Sequence, residues 1–177
     1  MATTPTKLLT VEEFEKIPDP PGGRYELHHG ELFEVANPFQ PHVRAQWQLR
    51  RLLDEAAGDS GVVTNEMPYC PLPEYESWRA DVAYISKARW DGIERWLQGA
   101  PELVAEVLSA SNTAAEILDK EQTCLENGAL QFWVVDTNRR QVKVSTHDGR
   151  AVTYKSGQHI PLFFAPGATI AVDAIFA

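Results

Sequence analysis

The chain is poor in cysteine, in long apolar runs and in positive charge, and each shortage excludes something. Its two cysteines, Cys70 and Cys124, stand far apart with no CxxC spacing. That argues against a disulfide framework and a structural zinc site and suits a reducing compartment, so a cytoplasmic location is expected. No apolar run approaches the ~20 residues that cross a bilayer, and no membrane is expected as a partner. The N-terminal stretch lacks the basic and apolar segments of a signal peptide. Lysine and arginine number 16 against 25 acidic residues, a formal charge of −9. Such a chain has no global attraction for nucleic acid or an anionic surface. A polyanionic substrate would have to be drawn by a local basic patch or by bound cations.

What is present fits an ordinary globular protein. The 177 residues are 44% hydrophobic and 23% charged, so one domain spanning 1–177 is expected, with residues 1–9 flexible. Thr10 and Glu13 form a capping box that opens a short helix to about Ile17. A hairpin follows from Arg24 to Ala36, turning at His28-His29-Gly30; both histidines are expected to face solvent. His42 to Ala57 reads as a helix with an apolar stripe of Leu49, Leu52, Leu53 and Ala56 and a stop at Gly58. Val62 to Leu72 reads as an extended strand, kept near an edge by Pro68 and Pro71. Trp78 to Ile85 is a strand with Ala80, Val82 and Tyr84 on one face and Asp81, Ala83 and Ile85 on the other. Residues 89–99 read as a loop with a short helix carrying Ile93, Trp96 and Leu97. Thr113 and Glu116 are a second capping box, opening a helix that ends before Gly128. Phe132 to Asp136 is a strand apolar on both faces. Gln141 to Tyr154 is a hairpin around His147-Asp148-Gly149, and the tail from Ala168 adds a last strand. This order gives an α/β fold with a mixed sheet. The helix from 113 joins two central strands, which should therefore be parallel.

The chemistry gathers on the stretch Pro101–Ser109 and its neighbours. Leu103, Ala105 and Val107 point one way, and Val104, Glu106 and Leu108 the other, so the strand is covered on both sides. Glu106 does not belong there: a buried carboxylate needs a partner, a proton or a metal. Asp81 is a second carboxylate on a mostly apolar strand. Lys120 flanks the apolar stripe of the following helix, three residues after Ile117 and four before Cys124, with Glu121 nearer its centre. Two carboxylates at adjacent strand ends make an oxygen-rich site suited to Mg²⁺ or Mn²⁺. A nearby lysine can hold water and stabilise phosphate charge, a combination that serves phosphodiester hydrolysis.

On these residues the chain resembles the Uma2 family of the PD-(D/E)xK restriction-endonuclease-like superfamily. The pieces are Arg24-Tyr-Glu-Leu with Gly30-Glu31, His42, Arg79-Ala-Asp81, Pro101 to Ser109, Asp119-Lys120, Gly128 and Phe132 to Asp136, covering nearly the whole chain. The resemblance implies a restriction-endonuclease-like core: a mixed β-sheet flanked by helices, with N-terminal and C-terminal β-hairpins. It implies Asp81 and Glu106 as metal ligands for Mg²⁺ or Mn²⁺. Where the superfamily often has its lysine, two residues after the glutamate, this chain has Leu108, and Lys120 takes the role. Glu26 resembles an additional acidic residue that such folds draw from their N-terminal part. Ala80, Cys124, Glu121 and Gln131-Phe132 depart from the family pattern and remove none of these groups.

The reading is thus a metal-dependent endonuclease acting on nucleic acid, with DNA the expected substrate. Asp81, Glu106, Lys120 and Glu26 are its catalytic set, His42 and Arg44 candidate substrate contacts, and a homodimer its expected assembly. Each residue also has a plainer reading: a carboxylate capping a turn, a lysine snorkelling at a helix rim, a solvated histidine or arginine. Two other functions stay open. A non-catalytic module that kept the fold would bind DNA or protein, which the low basic content favours. A sugar hydrolase would need two carboxylates across a cleft with no lysine between them.

Overall fold

The computed structural model describes residues 7–109 and 112–177. The expected flexibility of the N-terminus therefore falls, up to residue 6, outside the described residues, as does the middle of the turn at 109–112. Among the described residues no helix is long and apolar enough to cross a membrane.

Local signals set most elements. Helix α1 (Val11–Phe14) carries the capping box of Thr10 and Glu13 in full. Strands β1 (Gly23–His28) and β2 (Glu31–Ala36) pair antiparallel across His29-Gly30. Both turn residues have positive φ, 51° and 76°, which is the backbone twist a two-residue hairpin needs. Helix α2 (Gln40–Ala57) starts two residues earlier than the sequence pattern suggests, because a proline in the first turn loses no helical hydrogen bond. Gly58 ends it at φ 49°. Strands β3 (Gly61–Cys70) and β4 (Trp78–Ser86) follow, then helix α3 (Lys87–Asp91) and the two-residue strand β5 (Leu97–Gln98). Next come β6 (Leu103–Val107), α4 (Ala114–Glu126), β7 (Gln131–Asp136), β8 (Gln141–Thr146) and β9 (Ala151–Tyr154). Two short strands, β10 (His159–Pro161) and β11 (Thr169–Ala171), and helix α5 (Val172–Ile175) close the chain.

The main sheet has seven strands in the order β5-β3-β4-β6-β7-β8-β9. Strand β6 is central, and all five of its residues are buried. It runs parallel to β7 through the α4 crossover and antiparallel to β4, so the sheet is mixed, as expected. Strand β3 is flanked outward only by the two residues of β5, consistent with Pro68 lying near an edge. One face packs on α2 and α5, with Leu49, Leu53, Val82, Leu103, Ala105 and Trp133 in that core. The other packs under α4, with Ala83, Ile85, Val104, Cys124 and Phe132. Truncating a fully buried leucine such as Leu49 to alanine costs about 2–5 kcal/mol in such an environment. Both cysteines are buried free thiols.

Three local expectations are corrected. The short helix near residue 90 is α3 at 87–91, which Gly92 ends; Leu97 instead enters β5 and pairs with Tyr69. The tail gives only a three-residue strand, in a separate sheet with β10, and then a helical turn whose Val172 and Ile175 fill the α2 face. Ala80 packs with the α4-side core rather than with Val82 and Tyr84. The β3–β4 ladder passes from Asn65↔Val82 to Met67↔Ala80 and skips Glu66 and Asp81, and regular alternation fails across that gap.

Candidate active site

The gap in the ladder is where the acidic residues meet. Val82 pairs with Ala105, and one further step along both strands sets Asp81 opposite Glu106. The Asp81 carboxylate takes over part of the ladder: its Oδ2 accepts from the Val107 N–H at 2.7 Å. Its Oδ1 accepts from Gln46 Nε2 at 3.2 Å and lies 3.2 Å from His42 Nε2. Gln46 and His42 both come from the first turns of α2. The His42 ring is close to Asp81 but not aligned with it, and both of its buried nitrogens lack a hydrogen-bond partner.

Lys120 enters from α4. Its Nζ lies 3.3 Å from Glu26 Oε2 and 3.7 Å from Glu106 Oε2, and only 13% of its side chain is exposed. Glu26, on β1, is the most heavily bonded group of the cluster. Its Oε2 also lies 3.0 Å from His28 Nε2, and its Oε1 accepts from the Arg79 N–H at 3.3 Å and meets Arg24 at 3.5 Å. His28 is not a solvent-facing turn residue: it stacks on the buried Trp78, centroids 5.1 Å apart, and leans on Phe33. That correction has a simple cause. His28 is the last residue of β1 and shares the inward face with Glu26, whereas His29 sits in the turn and bonds Glu76. Glu121, the other inward charge of α4, pairs with Lys143 of β8 at 2.8 Å. Arg44 is exposed on α2, two residues after His42 and on a different side of the helix, and Glu31 is exposed beside the hairpin turn.

The two glutamates on Lys120 have opposite protonation behaviour. Burial works against the charge of Glu26, but Lys120, His28 and Arg24 outweigh it and hold its pKa down at about 2. For Glu106 burial dominates; Lys120 opposes it only in part, and the charges of Asp81 and Glu26 add to it, so the pKa rises to about 8. Burial also disfavours the Lys120 ammonium, yet Glu106, Glu26 and Asp81 together hold it well above an ordinary lysine. The shorter Lys120–Glu26 distance agrees with this division. Near neutral pH the cluster contains an ionised Glu26, a charged Lys120 and a Glu106 that keeps its proton.

Glu106 Oε1 is buried and has no hydrogen-bond partner. An unsatisfied buried oxygen costs about 1–3 kcal/mol, and a functional group or a ligand is the usual reason one persists. Among the described residues no cluster of three His, Cys, Asp or Glu side chains is spaced to hold a metal ion. Two carboxylates on adjacent strands remain, with one free oxygen, and they offer only oxygen ligands. That suits a hard cation which keeps most of its own water.

Sequence reasoning missed a ring of supporting residues. Glu66 Oε1 accepts from Gln46 Nε2 at 2.6 Å, and its Oε2 lies 3.0 Å from Arg24 Nη1. Arg24 thus spans Glu66 and Glu26, while Gln46 spans Glu66 and Asp81. Glu66 reaches them because its backbone is left-handed, φ 53°, inside a strand. Nothing in the local sequence announces a left-handed glutamate. The one available signal was polarity: Gln46 falls at a buried position of α2, where a hydrogen-bond partner is required.

Residues 11–173 match the Uma2 family, described as "Putative restriction endonuclease". The chain is also similar to a solved structure from Anabaena variabilis ATCC 29413, titled a "putative nuclease belonging to DUF820". The TM-score is 0.82 at 18% sequence identity, over 95% of this chain and 97% of that one. No curated protein matches.

Proposed function

The chain belongs to the Uma2 family, and on that premise we propose that it is a metal-dependent endonuclease hydrolysing phosphodiester bonds of DNA. The observation that carries the reading is Glu106. It is a carboxyl buried on the central strand, with one oxygen unpartnered, facing Lys120 and set across from Asp81. Asp81 and Glu106 are the residues that would hold Mg²⁺ or Mn²⁺. Such an ion supplies positive charge to the scissile phosphate and makes bound water more acidic.

The remaining chemistry belongs to the chain. Glu106 gives up its proton when the site is loaded. Asp81 stays oriented by Val107 and Gln46, with His42 packed beside it. Lys120 is held as an ammonium, so it cannot accept a proton from water. It donates hydrogen bonds instead, orienting the attacking water and stabilising the charge that builds on phosphate. Glu26 is saturated by Lys120, His28, Arg24 and Arg79, so its part is to fix Lys120 rather than to ligate.

The test is calorimetric titration of Mg²⁺ and Mn²⁺ into the wild type and into Glu106→Ala, with plasmid nicking on the same samples. Binding and nicking should both be lost in the variant. Nicking that survives in Glu106→Ala, or a wild type that binds no ion even with DNA present, would reject the proposal.

A further inference from the structure

The first two turns of α2 expose what a folded surface normally hides. Phe39, the residue that precedes the helix, is 81% exposed, Val43 44% and Trp47 57%. They follow one another at four-residue spacing, so they lie along one side of the helix. Arg44 precedes Trp47 by three residues and Arg51 follows it by four, placing a guanidinium on either side of the indole. Among the described residues Arg51 is engaged only by Gln48 and by an exposed contact with Glu55 at 3.5 Å, a pairing worth little in water. From Val35 to Leu53 the sequence has no acidic residue and three arginines, in a protein whose net charge is −9. This surface adjoins the acidic cluster, because His42 and Gln46 of the same turns touch Asp81.

We infer that this face of α2 is a stacking platform for unpaired DNA bases, seating a single strand whose backbone runs past Asp81 and Glu106. Bases in a duplex have their faces covered by their neighbours, so an exposed indole can stack only on a base that is unpaired or splayed out. Duplex recognition draws on a broad basic surface to neutralise phosphates. Here the cations are few and sit beside aromatic groups, which is the combination used on single strands. The inference rests on the nuclease reading for the site but not for the binding itself.

The experiment is fluorescence anisotropy in EDTA, where no cleavage occurs, with a labelled oligothymidylate of about twelve nucleotides. An abasic strand of the same length and charge, and a duplex, serve as controls. The proteins are the wild type, Trp47→Ala, Trp47→Phe and Arg44→Ala, each checked by circular dichroism and light scattering. The wild type should bind the oligothymidylate at least tenfold more tightly than the abasic strand. Trp47→Ala should lose about 5- to 100-fold in affinity, and Trp47→Phe should recover most of it. Arg44→Ala should weaken both strands and flatten the salt dependence. Equal binding of abasic and thymidylate strands, or an unchanged Trp47→Ala, would overturn the inference. So would a dimer that Trp47→Ala dissociates, since a second copy would then cover this face. Loss of nicking in Glu106→Ala tests the site separately: base-dependent binding with no nicking would sink the nuclease reading alone.

Discussion

Two glutamates share one lysine, and replacing each with glutamine should move stability in opposite directions. Glu106 has a pKa of about 8 in the folded protein, against about 4.5 when exposed. Keeping that proton in the fold while the unfolded chain releases it costs roughly 3 kcal/mol at pH 7, from the pKa of about 8. Glutamine has the same shape and no proton to lose. Allowing about 1 kcal/mol for the weakened contact with Lys120, Glu106→Gln should gain about 2 kcal/mol, or roughly 4–8 °C in Tm for a chain of this size. Glu26 is the reverse case. It is ionised, buried and bonded to four groups, so Glu26→Gln leaves Lys120 short of its closest anion and should cost about 3–5 kcal/mol.

The pH dependence separates the two. A raised folded pKa means stability is fully present below about 4.5 and is lost as pH rises toward 8, so the advantage of Glu106→Gln should vanish near pH 4.5 and widen up to about pH 8. A depressed folded pKa means stability is present above about 4.5 and lost as pH falls toward 2, so the deficit of Glu26→Gln should shrink in acid. Urea denaturation of the three proteins at pH 3, 5, 7 and 8.5 measures both. Glu106→Gln should be inactive in the nicking assay while more stable than the wild type, since stability given up at a carboxyl is stability given to function. A Glu106→Gln protein less stable than the wild type at every pH would refute the protonation argument.

Three further outcomes follow from the same geometry. Metal affinity should rise with pH up to about 8, because Glu106 must release its proton; titration in two buffers of different ionisation enthalpy should show protons released. Glu66→Asn should keep stability within about 1 kcal/mol, since asparagine accepts the left-handed backbone more readily. It should nonetheless cut nicking at least tenfold by freeing Gln46 and Arg24, with the loss in kcat rather than KM. Gly30→Ala should destabilise by about 1–2 kcal/mol in chemical denaturation, because its φ is 76° and its Cβ would meet that of Leu8 at 2.7 Å.

What the sequence revealed and what it hid divide along a physical line. Capping boxes, the hairpin turns and the run of buried apolar residues through Glu106 are local signals, and each is present in the fold. The crossover rule then fixed the parallel pairing of β6 and β7. The groups that escaped notice are those whose meaning depends on a distant partner. His28 and Arg24 look like ordinary polar residues of a hairpin until Trp78 and Glu66, respectively, are brought against them. Glu66 is harder still, because its side chain reaches Gln46 and Arg24 from a left-handed backbone that no short-range propensity encodes. Trp47 lies off the apolar stripe that the sequence pattern marks in α2, and its exposure beside two arginines is visible only in the structure.

The lysine illustrates how one charge can be delivered from different places in a chain. Leu108 stands two residues after Glu106, on the same side of the strand, and its N–H still bonds Val135 at 2.9 Å. The crossover forces α4 to run back along the sheet, antiparallel to β6. Helical side chains lean toward their own N-terminus, so a lysine in the second turn of α4 leans toward the end of β6 where Glu106 sits. Lys120 Nζ consequently reaches both Glu26 and Glu106. If the position of the ammonium is what matters, exchanging the two residues should be partly tolerated. Lys120→Leu alone should abolish nicking and leave Glu26 without its closest cation, whereas Lys120→Leu with Leu108→Lys should regain measurable nicking and much of the lost Tm. A double variant no better than the single one in both measurements would mean that the helix supplies more than a charge, the contact of Lys120 with the Trp78 ring at 5.8 Å being the first feature to examine.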